Sequence, residues 1–423
     1  MRELSVGLRL SPDDVRAVGT LAEDRGQVWF AYDPAFVAQG VEISPLRLPL
    51  VGSGLRAHRV SAGAPIPGVF NDARPEGWGL KLLHRAFAAR GRAASSVSPL
   101  EELAYLGEHT MGALTFAPVT GPTGAFDDAV SLAGLAAHAQ AVWDDRVEDV
   151  LPALVRAGGP SGGARPKALV GLRADGAPGV RHGEGTLPEG WEAWLVKFPT
   201  TTDDRDTGRR EQVWLEMAGA AGIEVPTCRT LHLSGVGDAF AVKRFDRAPG
   251  GRRLHVLSGA GALDADFRLP AADYAHLLRA TLHVCGGDMA QVVACFRLAV
   301  FNVAAVNQDD HLKNIAWRLG DDDADADLRW RLAPGFDLTY APRPYGERWT
   351  SVAGEGREVG RAHLLALAEG VGIKQLAARR VIDEVVSATS SVGARLATAG
   401  CDSAVSREAV REVARATERV ARG

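Results

Sequence analysis

The chain has 423 residues, of which 46% are hydrophobic and 24% are charged, and its formal net charge is −4. A globular chain of this length exceeds one ordinary hydrophobic core, so we expect two or three packed units. The balanced charge and a sequence pI near 6.3 provide no general attraction for nucleic acid or for an anionic membrane. Direct DNA binding is therefore not favoured.

The cysteines and the N-terminus indicate a cellular compartment. The four cysteines are scattered and form no C-x-x-C pair, which is typical of reduced thiols and not of a disulfide scaffold or a structural zinc site. The first residues lack the apolar stretch of a signal peptide, and no apolar run approaches the ~20 residues of a membrane span. We therefore expect a cytoplasmic protein with no membrane association.

The first part of the chain, residues 1–125, is predicted to be mixed α/β. Strands are expected at 16–22, 27–32 and 111–116, where β-branched and aromatic residues are enriched. Apolar residues with helical spacing predict a helix at 78–90. A stretch rich in proline and glycine follows this part, and we interpret it as a boundary.

The second part, residues 126–248, is predicted to contain a small sheet with one helix between its strands. Apolar periodicity and breaker residues define these elements. The expected helices are 131–144, 147–156 and 210–221, and the expected strands are 168–173, 192–198, 230–233 and 239–242.

The third part, residues 249–423, is predicted to be mostly helical. Its expected elements are helices at 271–284 and 289–306, a hairpin of 315–319 with 328–332, and a helical tail from residue 361. A small mixed lobe followed by a helical lobe is the arrangement of protein kinases. The expected fold class is therefore α+β, with a two-lobed, protein-kinase-like architecture.

Three polar residues in the third part have the spacing of a kinase catalytic loop. Asp309 and Asn314 form a D-x-x-x-x-N pattern, and Asp337 follows further along the chain. Phosphoryl transfer needs a base for the attacking hydroxyl, which Asp309 can supply, and hard oxygen ligands for Mg²⁺, which Asn314 and Asp337 can supply. Because this spacing is common by chance, a capped helix end and a simple turn remain alternatives.

A lysine and a glutamate in the second part are candidates for phosphate binding. Lys197 ends an apolar predicted strand, and Glu211 lies on the next predicted helix. Kinases pair such residues to hold the lysine against the α- and β-phosphates. The alternative is a solvated lysine on an edge strand. The glycine run at 158–163 is a weaker candidate for a phosphate loop, because Lys167 is not followed by Ser or Thr as in a Walker motif.

These segments together resemble the HipA family of bacterial serine/threonine protein kinases, which are toxins of toxin–antitoxin pairs. The resemblance spans nearly the whole chain, and its motifs occur in the family's order. The segments that carry it are 69–72, 75–79, 106–107, 111–114, 162–167, 194–197, 242–247, 307–314 and 336–337.

The resemblance implies a role for each matching residue. Asp309, Lys197 and Glu211 would be catalytic, and Asn314 and Asp337 would hold Mg²⁺ beside ATP. The implied ATP contacts are Gly162, Gly163, Ala164, Arg165, Pro166, Lys167, Lys197, Lys243, Arg244, Phe245, His311, Lys313, Asn314, Phe336 and Asp337.

The resemblance also divides the chain and identifies departures from the family. Residues 1–125 would be the HipA-like N-terminal subdomain, 126–248 the nucleotide-binding part of the small lobe and 249–423 the helical catalytic lobe. Lys243 stands in the hinge where the best-known members carry an acid. Family members carry a phosphate-loop serine that becomes phosphorylated and ejects that loop, and Ser161, shifted by about one position, is the candidate here. Autophosphorylation at Ser161 is therefore a hypothesis.

The implied function is an ATP- and Mg-dependent serine/threonine protein kinase that acts as a toxin. Family targets include aminoacyl-tRNA synthetases, and a HipB-like helix-turn-helix antitoxin partner is expected, with DNA contacted indirectly through it. Two alternatives are a silent pseudokinase that serves as a co-repressor scaffold and a small-molecule phosphotransferase. The presence of Lys197, Asp309, Asn314 and Asp337 speaks against the first, and the N-terminal motifs speak against the second.

Overall fold

The computed structural model describes residues 1–61, 63–122, 131–147, 152–159, 162–177, 179–183, 185–270, 272–320 and 328–422. Among the helices of these ranges, none combines the length and the apolar character needed to cross a membrane.

The N-terminal part is built on a five-stranded antiparallel sheet, in the order β4-β3-β2-β1-β5. Alternate side chains of the first strand, Leu4, Val6 and Leu8, are buried, so one face of the sheet packs on a core. The strands predicted at 16–22 and 27–32 and the helix predicted at 78–90 are confirmed. The elements are β1 (Arg2–Arg9), β2 (Val15–Asp24), β3 (Gln27–Tyr32), α1 (Pro34–Gln39), β4 (Arg56–His58), α2 (Gly68–Asn71), α3 (Trp78–Ala88), α4 (Pro99–Leu106) and β5 (Leu114–Ala117).

The middle part contains a second antiparallel sheet, in the order β7-β6-β8-β10-β9. The predicted strands and the helix between them are confirmed, and part of the helix predicted at 147–156 lies outside the described residues. The elements are α5 (Leu132–Trp143), α6 (Pro152–Gly158), β6 (Lys167–Arg173), β7 (Val180–His182), β8 (Trp191–Lys197), α7 (Thr207–Ala220), β9 (Cys228–Leu233) and β10 (Gly237–Lys243).

The C-terminal part is mostly helical, as predicted. The predicted hairpin is present, but an earlier strand joins it to make a three-stranded sheet, β13-β15-β16. The elements are β11 (Arg247–Ala248), β12 (Arg252–Arg253), β13 (His255–Ser258), α8 (Gly259–Leu263), β14 (Ala272–Asp273), α9 (Tyr274–Val284), α10 (Met289–Ala304), β15 (Ala316–Leu319), β16 (Trp330–Leu332), β17 (Thr350–Ser351), α11 (Arg361–Glu369), α12 (Gln375–Thr389), α13 (Val392–Thr398) and α14 (Ala404–Ala421).

Two helix ends differ from the prediction for local reasons. Helix α9 begins at Tyr274 because Asp273 caps it, with its carboxylate accepting a hydrogen bond from the Ala275 amide. Helix α10 ends at Ala304, and Val306 has a positive φ of 54° that a continuing helix does not allow. The chain therefore leaves α10 abruptly, just before the predicted catalytic loop.

Two buried hydrophobic clusters join the three parts. The larger includes Phe30 of the first sheet, Trp214 of α7 and Phe296 of α10. The smaller includes Trp78 of α3 and Trp194 of β8. Because burial of apolar surface is the dominant favourable term in folding, the parts stabilise one another. The three-part division stays a prediction, and its first boundary falls on residues outside the described ranges.

Candidate active site

Lys197 lies at the centre of a buried ion-pair cluster at the end of β8. Its ammonium donates hydrogen bonds to Oε1 of Glu211 on α7 and to Oδ1 of Asp337. Burial alone would lower the pKa of Lys197, but the two carboxylates outweigh burial and raise it. Lys197 in turn holds the pKa of Asp337 well below its usual range. Three residues predicted from distant parts of the sequence thus meet in one place.

A second lysine lies directly beside this cluster. Strands β6 and β8 pair with Lys167 opposite Lys197, and Lys167 Nζ donates to the Gly162 carbonyl at 2.6 Å. Burial, together with repulsion from Lys197, lowers the pKa of Lys167 to about 8. Two neighbouring ammonium groups in a largely buried position form a suitable binding site for a polyphosphate.

Asp309 follows α10 on a loop whose base is buried. Its side chain is 51% exposed, and its Oδ1 lies 4.0 Å from Nε2 of His311. Partial burial and the negative charge of Asp337 raise the pKa of Asp309, while His311 opposes that rise. A carboxylate with a raised pKa is a stronger proton acceptor than a free aspartate.

Asn314 and Asp337 are the residues predicted to hold Mg²⁺ through side-chain oxygen atoms. Asn314 Nδ2 donates to the Asp309 carbonyl at 2.7 Å, and this hydrogen bond does not use the amide oxygen. Asp337 has a positive φ of 55°, an uncommon conformation for a residue with a side chain that is often found at functional sites. Within the described ranges, no three His, Cys, Asp or Glu side chains form a metal-binding group. The assignment of Asn314 and Asp337 as Mg²⁺ ligands stays a prediction.

The side chains of the predicted hinge residues have different partners. The side chain of Lys243 pairs with Glu192 at 2.7 Å, and the buried guanidinium of Arg244 pairs with Asp246. Phe245 instead packs against Phe336, with ring centroids 5.6 Å apart. The aromatic pair is thus brought together next to Asp337. The predicted adenine contacts of Lys243, Arg244 and Phe245 stay predictions.

The predicted phosphate loop is described from Gly162 onward, and Ser161 lies outside the described residues. Gly163 has a positive φ of 78°, which glycine adopts without strain. Arg165 forms an exposed ion pair with Asp203, and the carbonyl of Pro166 accepts a hydrogen bond from the Phe198 amide at 2.9 Å. The role of Ala164 as a nucleotide contact stays a prediction.

Lys313 has partners that the sequence did not indicate. Its Nζ lies 2.9 Å from Oε1 of Glu76 and 3.4 Å from Oδ1 of Asp72, both in the N-terminal part. His311 packs between the rings of Phe267 and Trp349, at centroid distances of 5.2 and 6.4 Å. The predicted nucleotide contacts of Lys313 and His311 therefore stay predictions.

Comparison with protein-family models identifies the family. The model of the HipA-like C-terminal domain matches residues 160–392, and that of the HipA N-terminal domain matches residues 14–117. The first match alone covers more than half of the chain. The chain belongs to the HipA family.

One solved structure has the same fold as this chain. The HipA–HipB–operator DNA complex of the Shewanella oneidensis MR-1 toxin–antitoxin system matches with a TM-score of 0.68 and 17% identity, over 99% of this chain and 97% of that chain. At this identity the match establishes the fold alone, which is the two-lobed α+β arrangement predicted. The Helicobacter pylori proinflammatory kinase CtkA matches with a TM-score of 0.37 and 12% identity, over 54% of this chain and 88% of that chain, which is too distant to support an argument. A search of curated proteins gave no match.

Asp310 is a residue of this HipA-family site that sequence reasoning missed. Its buried carboxylate accepts hydrogen bonds from the Tyr274 hydroxyl at 3.0 Å, from Arg348 Nε at 2.9 Å and from the Thr350 amide at 3.3 Å. Asn302 donates to the Tyr274 hydroxyl at 2.9 Å, which extends the network into α10. The interruption of an apolar helix by Asn302 was the sequence signal, because a buried amide requires a polar partner.

Proposed function

We propose that the protein is an ATP- and Mg²⁺-dependent serine/threonine protein kinase. The observation that supports this proposal best is the simultaneous pairing of Lys197 with Glu211 and Asp337. A lysine held between a helix glutamate and a metal-binding aspartate is the arrangement that kinases use to position ATP phosphates. The membership of the HipA family supports the same conclusion.

The proposed reaction assigns one task to each residue. Lys197 and Lys167 bind the phosphates, while Asn314 and Asp337 would hold Mg²⁺, which neutralises phosphate charge when bound. The hydroxyl oxygen of the substrate forms a bond to the γ-phosphorus, the bond from that phosphorus to the β–γ bridging oxygen breaks, and ADP leaves. Asp309 accepts the proton of the hydroxyl, and its raised pKa suits it to this role.

The proposal extends to the biological setting. The related Shewanella complex contains HipA, HipB and operator DNA. By analogy, we propose a cytoplasmic toxin with a HipB-like helix-turn-helix antitoxin, contact with DNA through that antitoxin, and a protein substrate such as an aminoacyl-tRNA synthetase. Autophosphorylation at Ser161 is part of this proposal, and a phosphopeptide containing Ser161 after incubation with ATP tests it.

The experiment is to incubate the purified protein with Mg²⁺, ATP labelled at the γ-phosphate and a cell lysate. We expect labelled protein bands, their loss on chelation of Mg²⁺, and a fall of roughly 10²–10⁴-fold in transfer for Asp309→Asn, because the general base is removed. The matched control is Asp383→Asn, which removes an exposed carboxylate paired with Arg361 on the surface and should transfer normally.

Two outcomes would contradict the proposal. Labelled small molecules without labelled protein would indicate a small-molecule phosphotransferase. An absence of transfer, with retained nucleotide binding, would indicate a pseudokinase scaffold.

A further inference from the structure

The phosphate loop and the catalytic loop are both held by one short segment of the N-terminal part, residues 72–78. On the catalytic-loop side, Lys313 Nζ lies 2.9 Å from Glu76 Oε1 and 3.4 Å from Asp72 Oδ1. Asp72 is itself held in place, since its carboxylate accepts hydrogen bonds from the amide and the hydroxyl of Ser258, each at 2.7 Å. The lysine thus meets one carboxylate, that of Asp72, whose position is already set.

The same segment contacts the phosphate loop. The backbone amide of Trp78 donates to the Gly163 carbonyl at 2.9 Å, and its indole Nε1 donates to the Lys167 carbonyl at 3.0 Å. Glu76 lies beside Gly162, because a Cβ added at Gly162 would be 3.2 Å from Glu76 Oε1. Glu76 Oε1 therefore lies between the phosphate loop and Lys313.

The approach of the two segments requires glycine. Gly77 has a positive φ of 52°, and a Cβ added there would be 2.4 Å from the Gly163 carbonyl oxygen. Such a distance is shorter than any ordinary contact of a Cβ atom, so this site admits no side chain. The two backbones therefore approach each other closely beside Glu76.

In this group, one ammonium faces two carboxylates. Lys313 is 12% exposed and Glu76 is 23% exposed, so both are largely shielded from solvent. Burial would lower the pKa of Lys313, but Asp72 and Glu76 outweigh burial and raise it, so the ammonium form persists. Lys313 therefore has carboxylate partners before any nucleotide binds.

We propose that Glu76 is a positioning residue that fixes the phosphate loop to the catalytic loop through Lys313, so that the N-terminal part completes the nucleotide site. This inference rests on the proposed kinase function. Glu76 touches neither the transferred phosphoryl group nor the base Asp309; it acts through Lys313 and the loop at Gly162. Removing the Glu76 side chain should loosen the phosphate loop and raise the entropic cost of ordering that loop around phosphates.

The test compares Glu76→Ala with wild type in two measurements. In the nucleotide-free protein, amide hydrogen exchange across 162–168 should become about tenfold faster, the size expected for loss of one coupled contact. In Mg-ATP kinetics, KM should rise about tenfold while kcat changes less than about threefold, because ground-state positioning is lost and the chemistry is retained. Glu76→Asp, which keeps the charge, should recover part of the loss.

The matched control is Glu101→Ala. Glu101 is 21% exposed, pairs with Arg92 at 2.9 Å and completes the capping box of α4. Its loss should destabilise the fold without changing exchange at 162–168 or KM. If Glu101→Ala changed the exchange rate at 162–168 and KM as much as Glu76→Ala does, Glu76 would act only through global stability. The inference would then fail.

A purely electrostatic role for Glu76 would give a different result in both measurements. If Glu76 did no more than repel phosphate, its removal would lower KM and leave exchange unchanged, which would overturn the inference. The Lys313→Met and Glu76→Ala changes should be non-additive in exchange, because they break one shared contact; additive effects would also overturn it. Failure of the wild type to transfer phosphate would instead refute the kinase proposal, while the exchange comparison would still decide the role of Glu76.

Discussion

Lys167 and Lys197 are neighbours across two strands, yet they carry their charges under different conditions. Lys197 has two carboxylate partners, which raise its pKa. Lys167 donates to the carbonyl of Gly162 and is repelled by Lys197, so its pKa falls to about 8. Lys167 is therefore the cation that a bound phosphate would stabilise most, since its charge is the less compensated of the two.

The first prediction concerns the pH dependence of nucleotide binding. We expect ATP to bind more weakly as pH rises through about 8, because the Lys167 ammonium is lost, and binding near pH 8 should take up protons because phosphate raises the pKa of Lys167. Isothermal titration calorimetry in two buffers of different ionisation enthalpy measures the uptake. Lys167→Met should abolish it, whereas Lys374→Met, at an exposed lysine, should not. A flat affinity between pH 7 and pH 9 in wild type would contradict the prediction.

Lys167 also makes the free energy of unfolding depend on pH. Its pKa in the folded protein is about 8, below the value of 10.5 for a free lysine. The unfolded state therefore binds more protons between these values, and the contribution of Lys167 to stability rises as pH increases through this window. Below about pH 8, the buried ammonium costs stability. The buried ammonium that lowers the free energy of unfolding therefore lies at the site where phosphate is proposed to bind.

At the scale of elements, a buried hydrogen-bond network anchors the predicted catalytic loop. Asp310 is the centre of this network, and its partners come from α9 through Tyr274 and from the chain before β17 through Arg348. On the other side of the loop, Gln308 accepts a hydrogen bond from the Arg343 amide at 2.7 Å and donates to the Gly346 carbonyl at 3.0 Å. Asp309 thus lies between two anchored neighbours, which limits the movement of the proposed base.

The second prediction concerns the anchor of this loop. Arg348→Met should lower the free energy of unfolding by about 3–5 kcal/mol, because the fully buried Asp310 would lose its cationic partner. Urea denaturation measures the change. Arg357→Met is the matched control, since Arg357 pairs with Glu347 at the surface and its loss should cost at most about 0.5 kcal/mol. Equal effects for the two variants would show that the buried pair has no special role.

At the scale of the whole molecule, the N-terminal part contacts both lobes of the kinase-like unit. It reaches the hinge, where the Gly112 amide donates to Asp246 at 2.8 Å and Arg247 donates to the carbonyls of Gly112 and Thr110, each at 2.8 Å. It reaches the catalytic lobe through α2, which packs on α8. The N-terminal part is therefore a structural support of the cleft and not a separate appendage.

The third prediction tests the contact between α2 and α8. A Cβ added at Gly68 would lie 2.2 Å from the Gly261 carbonyl oxygen, so Gly68→Ala should force the helices apart and cost about 1–3 kcal/mol of unfolding free energy. Chemical denaturation measures it. Gly134→Ala is the control, because Gly134 lies on an exposed face of α5 with no close neighbour and alanine should stabilise the helix by roughly 0.5–1 kcal/mol. An unchanged stability of Gly68→Ala would contradict the described packing.

Much of the fold followed from local patterns. Strands β2, β3 and β8 and helix α10 were predicted because apolar periodicity reports directly which face of an element is buried. Strand β13 was missed, since four residues beginning with a histidine, His255–Ser258, carry little periodic signal. Helix α4 was also missed, although its capping box of Ser98 and Glu101 was a readable start signal.

The sequence itself identified five candidate residues, because residue type and spacing carry the chemistry of phosphoryl transfer. They are Lys197, Glu211, Asp309, Asn314 and Asp337. Which side chains meet was decided by the tertiary structure, since a contact between distant residues depends on how strands pair and helices pack. Packing brought Lys197 to Asp337, gave Lys313 the carboxylates of Asp72 and Glu76, and enclosed Asp310. Local patterns report burial and chemical type, but a long-range ion pair has no local signature, so only the folded chain could reveal these partners.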